Sequence, residues 1–440
     1  MKDDKETNQI IRTIKELFMK NMNSNKELSK LIDKYLIPQE LEKKSNAEVS
    51  TPFKLRQEML DKIPTDFWNT PKKVFEPCVG KGGFIVDIID RFMIGLKDNI
   101  LDEKLRYKTI VEDCLYFSDI NSTNIFICKL LIDPYNEYEL NYNEGNTLEI
   151  DIKKKWGVGG FDAVIGNPPY NASGDTGTGN TIWQNFTRIS LDKLIIKNGY
   201  LLYVHPPGWR KPNTERGKFY GYYELMAKDN QMIYLSIHGI KDGQQTFNCG
   251  TRYDWYLIEK KHKYTTTIVN DEKGNNIVVD MNDFQWLPNY NIKTIKNVLA
   301  KDNDERCEII YDRTAYEPRK KWMSKTKNDI FQYPCVHSTP KSGTRYMYSK
   351  FNDRGHFGVS KVIFGDSGIN EPIIDMNGNY GMTQHAMAIS VNNIDEANQL
   401  CLNLKSNKMS NLIDSCLYSL YAIDWNIFKD MKKDFWKEFI

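Results

Sequence analysis

Short apolar segments alternate with helical patterns between residues 50 and 262, and this alternation is the strongest constraint on the fold. Segments with the composition of buried strands lie at 74–77, 114–120, 161–170, 199–207, 232–237 and 252–260. Apolar helical patterns at 85–96 and 124–132 separate the first of these strands. Strands joined through helices form parallel sheets. We therefore predict an α/β fold with a Rossmann-like, doubly wound sheet, in which ligands bind at the carboxyl ends of the strands.

The pattern divides the chain into three parts. Residues 1–48 predict short amphipathic helices that brace the next domain or a partner, and bracing of the next domain is the simpler interpretation. Residues 49–262 carry the alternation of strands and helices. Residues 263–440 begin with a predicted β-hairpin that turns at Lys273, Gly274 and Asn275, and continue with mixed strands, basic loops and a helical tail. We predict a second, mixed α+β domain there.

Composition excludes several classes of protein. The 440 residues include 60 Lys and Arg against 58 Asp and Glu, and 40% are hydrophobic, which suffices for a core in two or three domains. No apolar run approaches the roughly 18 residues of a membrane span, and the mixed charge of the N-terminus is unlike a signal peptide. The eight cysteines include no Cys-x-x-Cys pair. We therefore predict a cytoplasmic protein with reduced thiols, no metal site and no membrane contact.

A glycine-rich turn follows the first predicted strand. Glu76 ends that strand, and Gly80, Gly82 and Gly83 lead into a helix, so that a ligand could approach the backbone and the free N–H groups of the helix start. No Gly-Lys-Ser/Thr follows, which disfavours a phosphate-binding P-loop. Asp119 ends the next predicted strand, where a carboxylate can accept hydrogen bonds from both hydroxyls of a ribose. These residues predict an adenosine-containing cofactor, with a helix N-cap as the alternative role of Asp119.

The segment Asn167-Pro168-Pro169-Tyr170 ends the strand at 161–170. Two prolines fix the backbone and cannot donate, so the Asn167 side-chain oxygen and nearby carbonyls are free to accept hydrogen bonds from one NH₂ group. Tyr170 adds a ring on which a planar base can stack. A structural Pro-Pro turn is the alternative interpretation. The polar run at 171–180 is predicted either to become ordered over a substrate or to be a plain linker.

Cationic residues concentrate between Arg313 and Lys361, a segment that contains eleven Lys and Arg but only three acidic residues. Aromatic side chains are interleaved with them, which favours contacts with the phosphates and bases of a nucleic acid. The alternative is a merely solvated face. The side chains predicted to bind nucleic acid are Lys320, Lys321, Lys325 and Arg345, with Arg210 and Lys211 in a loop after the strand at 199–207.

Taken together and in this order, the motifs resemble those of the gamma-class S-adenosylmethionine-dependent DNA adenine-N6 methyltransferases, the Asn-Pro-Pro-Tyr family found in type II restriction–modification systems. The resemblance covers most of residues 50–262 through motifs and, more loosely, the C-terminal part. It implies a methyltransferase sheet at 49–262, a target-recognition domain at 263–440 and S-adenosylmethionine as the cofactor.

The resemblance also implies roles for particular residues. The implied cofactor-binding residues are Thr51, Pro52, Phe53, Glu76, Gly80, Gly82, Asp119, Asn146 and Asn167. The implied catalytic residues are Asn167, Pro168, Pro169 and Tyr170. Asn146 departs from the family, which usually has Asp there, although an amide oxygen can still accept a hydrogen bond from the adenine amine without a charge. Tyr170 and Phe247 would stack on the flipped base, with core packing as an equal alternative for Phe247.

The implied reaction is methyl transfer to the N6 amine of an adenine flipped out of double-stranded DNA. Three other functions stay open: cytosine-N4 methylation of DNA, glutamine-N5 methylation of protein, and a non-catalytic DNA-binding subunit of a methyltransferase complex. Methylation of DNA is compatible with a separate cognate restriction endonuclease. The expected location is the cytoplasm, at the nucleoid or in the cytoplasm of an infected host.

Overall fold

The computed structural model describes residues 27, 28, 30, 32, 33, 49–172, 181–213, 215–261, 266–418 and 422–439. Most of the predicted N-terminal helical segment at 1–48, and residues 173–180 of the polar run after Tyr170, lie outside the described residues. The chain divides into two compact units. The first comprises the described residues up to Pro207 together with Gly221–Met281, and the second comprises Gly208–Tyr220 and the described residues from Asn282 onward.

A nine-stranded sheet lies at the centre of the first unit. Its strands are β1 (Val74–Glu76), β2 (Leu115–Asp119), β3 (Asn141–Glu144), β4 (Phe161–Gly166), β5 (Ile195–His205), β6 (Gln231–His238), β7 (Tyr253–Glu259), β8 (Thr267–Asn270) and β9 (Asn276–Val279). Their spatial order is β3-β2-β1-β4-β5-β7-β6-β8-β9. Strands β1 to β5 are parallel, and β7 is antiparallel to both β5 and β6. The predicted doubly wound parallel core is confirmed.

The helices that can be given bounds in the described part of the first unit connect or flank these strands. They are α1 (Phe53–Leu60), α2 (Gly83–Gly95), α3 (Glu103–Thr109), α4 (Ser122–Ile132), α5 (Ile152–Trp156), α6 (Trp183–Ile189), α7 (Tyr222–Ala227) and α8 (Ile240–Phe247). Single 3₁₀ turns occur at Thr65–Asn69 and Thr147–Glu149, and short π-helical segments at Ile110–Cys114 and Ser190–Leu194. Leu28 and Ile32 are buried in the same hydrophobic cluster as α1 and α2, so these two residues brace the first unit.

The strand order places the carboxyl ends of three strands side by side. The direction of winding reverses between β1 and β4, and such a switch point opens a crevice beyond the strand ends. Glu76 is the last residue of β1, Asp119 is the last residue of β2, and Asn167 follows directly after β4. The topology therefore gathers residues that are far apart in the sequence.

The hairpin at the start of the predicted second domain belongs to the first unit. It forms as predicted, with Gly274 at a φ of 82° in the turn between β8 and β9. Strand β8 pairs in parallel with β6, opposite Tyr234, Leu235 and Ser236. The expected boundary at 262–263 is thus corrected, because these strands extend the nine-stranded sheet.

The second unit contains two four-stranded sheets. Their strands are β10 (Ile309–Ile310), β11 (Met323–Ser324), β12 (Tyr333–Ser338), β13 (Arg345–Ser349), β14 (Lys361–Gly365), β15 (Gly368–Asp375), β16 (Gly381–Met382) and β17 (Ala386–Ser390). One sheet has the order β10-β17-β14-β15 and the other β11-β13-β12-β16. The helices are α9 (Ile292–Val298), α10 (Ile394–Leu404), α11 (Asn407–Ser415) and α12 (Asn426–Lys429). The predicted mixed α+β character is confirmed. Among the described residues, no helix combines the length and apolar composition that a membrane crossing requires.

Candidate active site

A cavity of about 470 Å³ lies at the carboxyl ends of β1, β2 and β4. Residues from the glycine-rich turn, from the end of β2 and from the Asn-Pro-Pro-Tyr segment line it. The predicted site residues in its wall are Thr51, Glu76, Gly80, Asp119, Asn146, Asn167, Pro168, Pro169 and Tyr170. The structure therefore brings together the glycine-rich turn, the acid of β2 and the Asn-Pro-Pro-Tyr segment.

The glycine-rich turn is held by Asp119. The Oδ2 atom of Asp119 accepts hydrogen bonds from the Gly80 N–H (2.9 Å) and from Nδ2 of Asn124 (3.3 Å), and Oδ1 accepts from the Asn121 N–H (2.8 Å). Burial raises the pKa of Asp119, and these hydrogen bonds oppose the shift. Asn121 caps α4, so the alternative N-cap role of Asp119 is wrong. Since a carboxylate can accept about four hydrogen bonds, Asp119 retains capacity toward the cavity.

Two glycines of the turn adopt a left-handed backbone. Gly80 has a φ of 50°, and Gly82, the residue before α2, has a φ of 83°. A Cβ at Gly82 would lie 3.2 Å from both the Cys128 Sγ and the Leu131 Cδ1. Gly82 packs against α4 and is not among the described residues that line the cavity. Its role is therefore to shape the turn, and not to contact a ligand directly.

Glu76 is a buried acidic residue that lines the cavity. Its side chain is 2% exposed, and Oε2 has no hydrogen-bond partner among the described residues. Burial raises the pKa of Glu76 well above its usual range, the Arg56 guanidinium opposes this shift, and Asp119 and Asp87 add to it. A buried carboxylate with an open acceptor is suited to a cationic group of a ligand.

Arg56 is a buried cation beside Glu76 that the sequence analysis missed. Its Nε donates to Asp87 Oδ2 (2.6 Å), and its Nη1 donates to Asp33 Oδ1 (2.8 Å) and to the Thr51 carbonyl. Burial would lower the pKa of Arg56, but Asp87 and Asp33 together raise it. Asp87 could have pointed to this cation, because it lies in the apolar run of α2 and a buried charge there requires a partner of opposite charge.

The segment before α1 closes one side of the cavity. Thr51 lines the cavity, whereas Pro52 is the residue before α1 and Phe53 begins that helix. The Phe53 N–H donates to Asp33. Pro52 and Phe53 are not among the described residues of the cavity wall, so only Thr51 of this predicted trio faces it directly.

Asn167 lines the cavity, and only one end of its amide has a hydrogen-bond partner among the described residues. Its Nδ2 donates to the Val49 carbonyl at 3.0 Å. Its Oδ1 is buried and has no hydrogen-bond partner among the described residues. The Tyr170 hydroxyl is buried in the same way, and burial raises the pKa of Tyr170, with smaller contributions from Cys249 and Tyr253. The site therefore offers a free amide oxygen next to a neutral aromatic ring.

Asn146 is already engaged with its own turn. Its Oδ1 accepts from the Leu148 N–H (3.1 Å), and its Nδ2 donates to Glu149 Oε1 (2.7 Å). Thr147, which the sequence analysis missed, donates to the Pro77 carbonyl at 2.6 Å and so ties this turn to the end of β1. An adenine amine would share the Asn146 oxygen with a backbone N–H.

Cys78 and Phe247 have limited chemical roles in this geometry. Burial, with Asp119 and Glu76 nearby, raises the pKa of the Cys78 thiol well above its usual range, which disfavours its thiolate form. Phe247 lies at the end of α8 in the hydrophobic core, 8% exposed, with its ring centroid 4.8 Å from that of Tyr253. It is not among the described residues that line the cavity, and core packing, the alternative interpretation, accounts for its position.

The predicted nucleic-acid contacts differ in exposure. Lys321, Lys325 and Arg345 are exposed, whereas Lys211 is partly buried. Lys320 is half-buried and lies 3.6 Å from Glu317. Arg354, in the same segment, places its guanidinium 4.3 Å from the centroid of a Trp322 ring. The second unit thus carries exposed cations beside aromatic rings.

Arg210 is a correction to the predicted set. It is 0% exposed, and its guanidinium donates to the Leu287 carbonyl (3.0 Å) and to Asn289 Oδ1 (2.8 Å). The prediction that Arg210 contacts phosphate is therefore wrong, because its donors are committed inside the second unit. Lys361, which contributed to the basic count, is likewise buried against Asp375 at 2.7 Å.

Comparisons with known proteins match part of this chain. The profile of the Eco57I restriction-modification methylase family matches residues 102–238, which include Asp119 and the Asn167–Tyr170 segment. A protein of Mycoplasma pneumoniae, described as an uncharacterized adenine-specific methylase, is 25% identical over 238 residues. That match covers 37% of this chain and 56% of that protein, so the chain spans little more than half the length of this curated relative.

Two solved structures of restriction–modification enzymes also superpose on the chain. The type IIL enzyme MmeI in complex with DNA gives a TM-score of 0.49 at 11% identity, over 96% of this chain and 67% of that chain. The DrdV–DNA complex gives a TM-score of 0.48 at 12% identity, over 87% of this chain and 56% of that chain.

Proposed function

We propose that this protein is a site-specific DNA methyltransferase that transfers a methyl group from S-adenosylmethionine to the N6 amine of adenine. The observation that carries the proposal is the Asn167 amide, whose oxygen is buried in the cavity without a partner among the described residues while its nitrogen is bound to Val49. Such an oxygen accepts a hydrogen bond from an NH₂ group. The family profile over residues 102–238 and the Mycoplasma pneumoniae relative support the class of reaction.

The cavity fits S-adenosylmethionine in its donor set. Glu76 leaves Oε2 open for the ammonium group of the methionine part, and Asp119 keeps acceptor capacity for a ribose hydroxyl. Gly80 and Thr51, which also line the cavity, would contribute backbone and hydroxyl contacts. A cavity of about 470 Å³ is within the usual range for cofactor sites.

S-adenosylmethionine, when bound, supplies a methyl group on a positively charged sulfur. The residues of this chain then mainly orient the reacting amine. Asn167 Oδ1, with the Pro168 carbonyl, would accept the two N–H groups of the amine and direct its lone pair toward the methyl group. The raised pKa of Cys78, which lines the cavity, disfavours a thiolate there. Nucleophilic cysteine chemistry on cytosine is therefore not the mechanism proposed.

The substrate in this proposal is double-stranded DNA. A base inside the duplex cannot reach a buried methyl donor, so it leaves the stack at a cost of a few kcal/mol. Stacking on Tyr170 would offset part of that cost, at about 1–3 kcal/mol. Exposed cations of the second unit, such as Lys321, Lys325 and Arg345, would bind phosphates. A cognate restriction endonuclease that cuts the same unmethylated site would be the natural partner.

A label-transfer assay tests the proposal. The chain is incubated with S-adenosylmethionine carrying a tritiated methyl group and with unmethylated plasmid DNA. We expect label in DNA that nuclease releases, and almost none with the Asn167→Ala variant. Label recovered only in added protein would instead support glutamine methylation, and cofactor binding without any transfer would contradict an active enzyme. The matched control is Asn141→Ala, because Asn141 also donates its amide to a backbone carbonyl but does not line the cavity.

A further inference from the structure

We propose that Arg56 is a positioning residue that fixes the orientation of the Asn167 amide through the segment Val49–Thr51. The inference rests on the proposed function only for the role of Asn167 Oδ1 in catalysis. The positioning itself is a property of the unliganded chain, and it follows from a continuous series of contacts within the first unit.

The first step is the anchoring of Arg56. Its side chain is 2% exposed, and Nε lies 2.6 Å from Oδ2 of Asp87, which is also 2% exposed. A second ion pair joins Nη1 to Asp33 at 2.8 Å. A planar guanidinium held by two carboxylates has a fixed direction, unlike a lysine ammonium on a flexible stem. Arg56 therefore stands in a defined place between α1 and α2.

The second step is the space that α2 leaves for the guanidinium. A Cβ on Gly83 would lie 2.7 Å from Arg56 Nη1 and 2.8 Å from Cζ. Any larger residue at position 83 would have to displace a guanidinium that is bound to Asp87 and Asp33. The absence of a side chain at position 83 thus leaves room for the buried cation at the wall of the cavity.

The third step leads from Arg56 to the catalytic amide. Nη1 of Arg56 also donates to the Thr51 carbonyl. Two residues earlier, the Val49 carbonyl accepts the hydrogen bond from Asn167 Nδ2 at 3.0 Å. If the amide were flipped, two oxygens would face each other at that distance. The Val49 carbonyl therefore fixes the amide so that Oδ1 is the end left without a partner among the described residues, and Arg56 holds the segment that carries Val49.

Four variants of the full chain test this series. Arg56→Met removes the guanidinium, and Gly83→Ala keeps every charged group but displaces it. The double variant reports whether both changes act through the same contact. Arg106→Met is the matched control, because Arg106 is also buried and donates to a backbone carbonyl, that of Ile100, but does not line the cavity.

The first readout needs no activity. In unliganded protein labelled with ¹⁵N-asparagine, the side-chain signal of Asn167 is assigned by its loss in Asn167→Ala. We expect hydrogen exchange of this NH₂ group to be about tenfold faster in Arg56→Met and Gly83→Ala, and unchanged in Arg106→Met. If Arg56→Met and Gly83→Ala both exchange this group at the rate of the unmodified chain, the proposal is overturned.

The second readout is the single-turnover rate of methyl transfer at saturating cofactor and DNA. We expect a loss of about 10²-fold in Arg56→Met and in Gly83→Ala, since misplacement of a reacting group by about 1 Å has this effect. In the Arg56→Met background, Gly83→Ala should add no further loss, and additive losses would contradict the shared contact.

The two readouts separate this proposal from the proposed function. If the unmodified chain transfers no methyl group but the exchange result holds, the proposed function fails and the positioning role stands. Thermal melting of each variant identifies a folding defect. If Arg56→Met does not fold, Gly83→Ala carries both tests, because it keeps Arg56, Asp87 and Asp33 in the chain.

Discussion

The Asn167 oxygen, which has no hydrogen-bond partner in the described part of the chain, makes the most direct prediction for a single residue. Asn167→Ala removes the acceptor for the target amine while leaving Glu76 and Asp119 in place. We expect the single-turnover rate constant to fall by about 10²–10³-fold, the usual effect of removing one such stabilising group. Cofactor affinity, measured by calorimetry, should stay nearly unchanged. An equal loss of cofactor binding would contradict the role assigned to Asn167.

Glu76 predicts a pH dependence of cofactor binding. Burial raises its pKa well above the usual range, against the opposing charge of Arg56 and with the support of Asp119 and Asp87. The ionised form binds an ammonium group, so affinity should rise as pH increases through the raised pKa. Glu76→Gln should bind the cofactor roughly 10–100-fold more weakly and lose most of this dependence, since a hydrogen bond to a charged group contributes about 1.5–3 kcal/mol.

The raised pKa of Glu76 affects folding stability in the opposite direction from cofactor affinity. A carboxyl group whose pKa is raised on folding stabilises the folded state below its unfolded pKa, and this contribution is lost as pH rises through the folded pKa. Thermal melting of the unliganded chain should therefore depend less on pH in Glu76→Gln. A Glu76→Gln variant with an unchanged pH profile for both affinity and melting would show that Glu76 does not titrate in this way.

At the scale of elements, the turn between β1 and α2 depends on its left-handed glycine. Gly82→Ala should cost about 1–2 kcal/mol of stability from the backbone alone, and the new Cβ would press on Cys128 and Leu131 at 3.2 Å. We expect weaker cofactor binding as well, because the displaced turn includes the Gly80 N–H that binds Asp119.

Gly157→Ala is the matched control for that substitution. Gly157 ends α5 with a φ of 70°, and a Cβ there would have no neighbour within 4 Å. The Gly157→Ala variant should lose a similar amount of folding stability, because alanine is also strained in the left-handed conformation, but its cofactor affinity should not change. If both variants bind the cofactor as well as the unmodified chain, the turn does not form part of the cofactor site.

Local patterns were enough to predict most elements of the first unit and the site at their ends. Apolar runs marked β1, β2 and β4, and glycines and prolines marked the turns that follow them. Contacts between distant segments could not be predicted. Arg210 looked like a surface cation because its partners Leu287 and Asn289 lie 77 and 79 residues further along the chain. The link from Arg56 to Asp87, 31 residues apart, was hidden for the same reason.

At the scale of the whole molecule, the division into units was only partly predictable. The chain leaves the first unit at Gly208–Tyr220, returns to it, and leaves again after Met281. Composition changes near residue 263, but the hairpin that begins there pairs with β6. A discontinuous unit of this kind has no local signal, because its membership is decided by strand pairing and packing.

The basic segment of the second unit predicts salt-dependent DNA binding. Replacing Lys320, Lys321 and Lys325 by Gln should weaken binding and reduce the slope of log affinity against log salt by up to about 0.9 for each phosphate that is no longer neutralised. Lys320 should contribute least, since it lies beside Glu317. The control replaces Lys293, Lys301 and Lys408, which are exposed in the same unit outside this segment. Equal slopes for the two triple variants would mean that the segment is only a solvated face.

The identity of the methylated nucleoside distinguishes a DNA adenine methyltransferase from the other functions. The purified chain is incubated with S-adenosylmethionine and unmethylated plasmid, the DNA is digested to nucleosides, and the products are quantified by mass spectrometry. We expect N6-methyladenine from the unmodified chain, and far less of it in the same time from Asn167→Ala. N4-methylcytosine would keep the mechanism but change the base, and cofactor binding with neither product would contradict the assignment as a DNA methyltransferase.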